Sequence, residues 1–112
     1  MRRPLRVLAP LIGWIFTYMS FIIPVTRLRE TATLFAFNHP SPDHAFHVLI
    51  VPKRQIDSLA KLGPEDTAFL MDLYSTVQSL VDEFQLAAYR LVVNGGEYQD
   101  FPHLHFHLIS DK

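Results

Sequence analysis

The sequence predicts an α+β domain. Its parts are a mainly antiparallel sheet of about five strands, one long helix and a hydrophobic helix at the N-terminus. Two observations carry this. Short β-branched and aromatic runs recur at 33–37, 46–51, 89–93 and 103–110, and one long amphipathic stretch, 63–84, separates the earlier strands from the later ones. The order is then helix, β, β, β, helix, β, β, with strands grouped rather than alternating with helices.

Residues 7–25, "VLAPLIGWIFTYMSFIIPV", carry no charge and have arginines on both sides. As a helix they are long enough for a hydrocarbon core of about 30 Å. No small-residue cleavage site follows, so a removable signal peptide is not expected. A membrane segment and a helix packed on the domain or on a second subunit both remain open. The packed or interface-lying helix is preferred, because a single span would put Arg2, Arg3 and Arg6 outside against the positive-inside bias. Pro24 also leads straight into the first strand. The expected division is a hydrophobic segment at 1–24 and the main domain at 25–112. The expected location is cytoplasmic, with membrane contact through residues 7–25.

"VTRLRE", 25–30, and "TLFAF", 33–37, read as a hairpin across Thr31 and Ala32. "NHPSPDH" is a loop of prolines and turn formers, in which His39 and His44 read as surface residues. "FHVLIV", 46–51, should be a central strand closed by Pro52. In 63–84, Pro64 suits the first helical position, and Glu65 and Asp66 suit the positive end of the dipole. Phe69, Leu70, Leu73, Val77, Leu80, Val81 and Phe84 form one apolar stripe for the core. "YRLVV", 89–93, is a strand, "NGGEYQD" a loop and "HLHFHLIS", 103–110, the last strand.

At 112 residues one domain is the default. There is no cysteine, which excludes disulfides and Cys-based zinc sites. Residues 1–30 hold Arg2, Arg3, Arg6, Arg27 and Arg29 against Glu30, and the remainder is acidic. An acidic main body argues against a nucleic-acid-binding surface.

Half of the six histidines sit at alternate positions in 103–107. On a strand, His103, His105 and His107 share one face while Leu104, Phe106 and Leu108 supply the other. One use of three imidazoles is to bind a metal. Three such residues span roughly 13 Å, wide for one ion, so a metal would need a further ligand such as His47. The other use is nucleophilic: a neutral imidazole attacks phosphorus or acyl carbon, and its neighbours orient it and donate to developing charge. Asn94, after "RLVV", is able to donate to a phosphate, and equally suits a turn before Gly95 and Gly96. His47, which begins a buried strand, equally suits the core.

His103-Leu104-His105-Phe106-His107-Leu108-Ile109 fills every position of His-φ-His-φ-His-φ-φ, where φ is apolar. With "TLFAFNHPSPDHAFHVLIVPKRQI" and "RLVVNGG" upstream, the chain resembles the histidine-triad (HIT) family over most of its length. It looks most like the nucleotide-binding branch. The resemblance implies a HIT-like fold and a hydrolase or nucleotidyl transferase acting on nucleoside phosphoramidates, dinucleoside polyphosphates or related conjugates. It implies His105 as a nucleophile that becomes transiently nucleotidylated. His107 would assist the departing group, and His103 would support the orientation of His105. His47 would back the cluster, and Asn94 would contact phosphate. It further implies a homodimer and no metal or other cofactor. Two substrate-side positions depart from the branch: His39 stands where an aspartate for the ribose is usual, and Asp100 where a serine near the leaving group is usual. The alternative is a nucleotide-binding or interaction module with little turnover, attached to a membrane by its N-terminal segment.

Overall fold

The computed structural model describes residues 26–100 and 102–112. The N-terminal hydrophobic helix expected at 7–25 lies outside the described residues. Five strands form one antiparallel sheet: β1 (Arg27–Glu30), β2 (Leu34–Asn38), β3 (Phe46–Pro52), β4 (Arg90–Val93) and β5 (Phe106–Ser110). Their spatial order is β1-β2-β3-β5-β4, so β3 and β5 are the inner pair that meets the histidines. The helix α1 (Thr67–Glu83) lies on one face.

Period-2 alternation divides the strand residues between the two faces. Leu34 and Ala36 of β2, Val48 and Ile50 of β3, and Phe106 and Leu108 of β5 pack with Phe69, Leu73, Val77 and Leu80 of α1 in one core cluster. Of the predicted helix stripe, Leu70 and Val81 border this cluster. Phe84 is 41% exposed and rests against Phe46 with ring centroids 5.1 Å apart. The opposite alternation sends His47 and His107 to the other face of the sheet.

The helix begins later than Pro64. Pro64–Asp66 is a separate 3-10 turn, in which the Asp66 carboxylate accepts the Gly63 N–H at 3.0 Å and a two-pronged pair from Arg54 at 3.0 and 2.7 Å. That arrangement holds the chain in the tighter turn before α1 starts.

The last strand also begins later than expected. Residues 103–105 are not part of β5. The Leu104 N–H donates to the Ile56 carbonyl at 2.7 Å rather than to a sheet neighbour, and the His105 ring takes the His103 carbonyl. Leu104 nevertheless keeps its place in the core, and the signature histidines stay off the helix face. Among the described residues, no helix is long and apolar enough to cross a membrane.

Candidate active site

His105 is buried just ahead of β5. Its Nδ1–H donates to the His103 backbone carbonyl at 2.7 Å. A neutral imidazole has one N–H and one lone pair, so this bond leaves the lone pair on Nε2. Burial holds its pKa below the ordinary range, opposed by the His103 carbonyl and by the charge of Asp100. At neutral pH the ring is therefore neutral, with a fixed tautomer.

His103 serves this ring through its backbone. Its own ring is buried, and Nε2–H donates to the Pro52 carbonyl at 3.3 Å, which ties the segment to the end of β3. Burial lowers its pKa, and the repulsion of His105 adds to that.

His107 lies in β5, paired with Leu49 and Val92. Its ring centroid is 5.0 Å from that of His105. The hydrogen bond between His47 Nε2 and His107 Nδ1 measures 2.9 Å. Its direction is settled one step further back, where the Asp43 N–H donates to His47 Nδ1 at 3.1 Å. His47 therefore carries its proton on Nε2 and donates to His107 Nδ1, which leaves His107 with an Nε2–H. Burial, with repulsion from His39 and His44, lowers His47 to about 4. Burial, with repulsion from His105, His47, His39 and His44, lowers His107 to about 3. The two signature histidines are thus fixed in opposite senses: Nε2 of His105 accepts, and Nε2–H of His107 donates.

Two loop histidines that the sequence places at the surface belong to this cluster. The His39 ring is half-buried, with its centroid 4.3 Å from His47 and 6.0 Å from His107. The His44 ring meets His47 edge-on at 5.3 Å, and its Nδ1 pairs with Asp111 at 2.9 Å. Register carried the missing signal. Continuing β2–β3 one step past Asn38–Val48 sets His39 opposite His47, and the His39 N–H does donate to the His47 carbonyl at 2.8 Å. Asn94 directly follows β4, whose last residue, Val93, pairs with Phe106, the residue after His105. Asp100 is half-buried and close enough for its charge to raise the proton affinity of His105.

One ring nitrogen each from His39, His47 and His107 lies within 4.8 Å of the others. One transition-metal ion could be reached by such a set. However, backbone N–H groups donate to Nδ1 of both His39 and His47, which puts the protons of these neutral rings on Nε2. A histidine ligand turns one bare ring nitrogen to the metal and gives its other ring N–H to an acceptor, whereas here the one bare nitrogen of each of these two rings, Nδ1, is already taken by a backbone donor. Of the three rings, His47 and His107 are joined by a hydrogen bond, and His39 lies against both.

Comparison with known proteins agrees with this architecture. The HIT domain model matches residues 21–112. An uncharacterised HIT-like protein of Synechocystis is 30% identical over 93 residues, covering 80% of this chain and 82% of its own. The adenosine 5'-monophosphoramidase HNT1 of Saccharomyces cerevisiae is 35% identical over 92 residues, covering 80% of this chain and 56% of its own. A crystal structure of a HIT family hydrolase from Legionella pneumophila superposes with a TM-score of 0.78 at 26% identity, covering 88% of this chain and 91% of that one. On its signature, its sheet and these matches, the chain belongs to the HIT domain family.

Proposed function

We propose that the chain is a nucleotide hydrolase or nucleotidyl transferase that works through a covalent nucleotidyl-histidine. Its substrates would be nucleoside phosphoramidates or dinucleoside polyphosphates. One observation carries this: the Nδ1–H of His105 is held by the His103 carbonyl at 2.7 Å, which presents an Nε2 lone pair beside the donating ring of His107. In the first step Nε2 forms a bond to the α-phosphorus, and the bond from phosphorus to the leaving group breaks. The bonding pair departs with the leaving group, and an amine also takes a proton from solvent, which the second step gives back. The His103 carbonyl steadies the positive charge that the substituted imidazole then carries. The His107 Nε2–H donates to a phosphoryl oxygen, and Asn94 donates from the other side. In the second step water attacks phosphorus, the pair returns to Nε2, and a proton is released. The similarity to HNT1, an adenosine 5'-monophosphoramidase, supports the substrate class.

The test is to incubate the protein with adenosine 5'-phosphoramidate and follow AMP release and an adenylylated protein by mass spectrometry. His105→Ala should give neither product while still binding AMP. Normal turnover in that variant would end the assignment. A second reading, a binding module with little turnover, draws on Asp100, whose charge beside His105 opposes an incoming anion. Fast AMP release by the wild type would remove it. The family resemblance also extends the proposal to a homodimer, which light scattering on the purified chain measures.

A further inference from the structure

The register between β3 and β5 runs out at Phe46–Ser110, and one further tie follows it. Past that pair the Asp111 carboxylate takes over from the main chain. Its Oδ1 accepts the Ala45 N–H at 3.0 Å, and its Oδ2 accepts from His44 Nδ1 at 2.9 Å. The His44 bond, then the Ala45 N–H, hold its carboxyl below the usual range, so at neutral pH Asp111 only accepts. The corner that carries it is itself fastened. Ser110 is buried, and its hydroxyl donates to the Ala88 carbonyl at 2.5 Å and accepts the Lys112 N–H at 3.1 Å. The loop between β2 and β3 needs such a tie. Its own N–H groups are spent inside the hairpin, Ser41 on His39 Nδ1 and Asp43 on His47 Nδ1. Pro40 and Pro42 have no N–H to give. Among the described residues, the hydrogen bonds that reach 40–45 from outside the hairpin are the two to Asp111. His44 carries the restraint inward, since its ring meets His47 edge-on at 5.3 Å.

We propose that Asp111 is a positioning residue for the histidine cluster: it fastens the β2–β3 loop so that the Asp43 N–H stays on His47 Nδ1, and through His47 it keeps the proton of His107 on Nε2. The path starts at the two loop contacts of Asp111, on His44 and Ala45, and follows the chain back to Asp43. From there it crosses 3.1 Å to His47 and 2.9 Å to His107. Asp111 is exposed, and its hydrogen bonds go to the loop rather than to a reacting atom. Its effect on turnover rests on the nucleotide reading above and deepens it, because the donor offered to the phosphoryl oxygen is then governed from the end of β5. The size of the effect is bounded. Exposed pairs of this kind shift an equilibrium by up to about fivefold. Asp111 thus adds to a tautomer preference that the buried bonds of His47 already create.

The experiment reads the nitrogen chemical shifts of the imidazoles by NMR in the full-length protein at pH 7, beside kcat/KM for adenosine 5'-phosphoramidate. In the wild type, Nε2 of His47 and of His107 should show the shift of a protonated nitrogen, and Nδ1 that of a bare one. In Asp111→Ala the two nitrogens of His107 should move toward each other, and kcat/KM should fall about threefold. Asp111→Asn should return both readouts to near the wild type, because its amide oxygen can accept the Ala45 N–H and its amide N–H can meet His44 Nδ1. A merely structural role would lower Tm and leave the shifts in place. Wild-type His107 shifts in Asp111→Ala would overturn the inference. Moved shifts with wild-type kcat/KM would overturn it too, since the tautomer would then not serve the reaction. A wild type that releases no AMP would overturn the nucleotide reading, and the shifts in Asp111→Ala would still decide whether the carboxylate governs His107.

Discussion

Replacing His47 tests whether the tautomer of His107 matters to turnover. His47 is 6% exposed, and its Nε2–H meets His107 Nδ1 at 2.9 Å. With His47 in place, a proton on Nδ1 of His107 would set two N–H groups against each other. That forfeits a hydrogen bond and leaves a buried donor unmet, about 2 kcal/mol or more. The donating form is then favoured by a factor of about thirty. In His47→Phe nothing selects between the forms, and the ring also loses its positional restraint. The expected fall in kcat/KM for adenosine 5'-phosphoramidate is about tenfold. His47→Gln, which can donate to the same nitrogen, should recover to within about threefold of the wild type. Because His47 and His107 lie near 4 and 3, both are neutral from pH 6 to 8, so the ratio of variant to wild type should be flat over that range. A folded His47→Phe protein with wild-type kcat/KM, or a Gln variant as slow as the Phe variant, would refute the tautomer argument.

Asp100→Asn should raise kcat/KM for a substrate with an anionic leaving group about tenfold more than for one with a neutral amine. A carboxylate roughly 4 Å from a unit negative charge costs about 1 to 4 kcal/mol across effective dielectrics of ~80 to ~20. Equal effects on the two substrates, measured side by side, would mean that the carboxylate faces away from the leaving group. The histidine cluster also sets an acid limit on stability. His47 and His107 titrate near 6.5 when unfolded and near 4 and 3 when folded, so below pH 6.5 the unfolded chain binds more protons. Thermal melts should show Tm falling steadily as pH drops from 6.5 to about 4. His47→Gln should show a shallower fall, and an unchanged slope would contradict the assignment of these groups.

The strands and α1 were legible because each carries its own period. Leu34, Ala36, Val48, Ile50 and Leu108 alternate, and Phe69, Leu73, Val77 and Leu80 recur at helical spacing. The element ends were less legible because competing hydrogen bonds set them. Asp66 draws in Gly63 and Arg54 and delays the helix to Thr67. The Ile56 carbonyl captures Leu104 and delays β5 to Phe106. Gly63 is local, but Arg54 lies 12 residues from Asp66 and Ile56 is remote from Leu104 in the chain, so no local pattern alone encodes either shift.

The candidate site divides along a similar line. The signature marks His105 and His107, and its flanks mark His47, which the structure gathers in one cluster, while His39 and His44 had no such mark. What each imidazole presents was not readable, because residue type does not say which nitrogen holds the proton. Here main-chain groups decide it. The His103 carbonyl turns His105 into an acceptor at Nε2. The Asp43 amide, acting through His47, turns His107 into a donor at the same atom. The Ser41 amide does likewise for His39. Two alternate positions on one segment would give two equivalent rings if side chains alone set their state, and equivalent rings could not both attack a phosphorus and donate to its oxygens. The alternation brings the rings to one face, and the loop between β2 and β3 makes them unlike. A loop variant that moves the Asp43 amide while keeping all six histidines should therefore lose activity much as His47→Phe does.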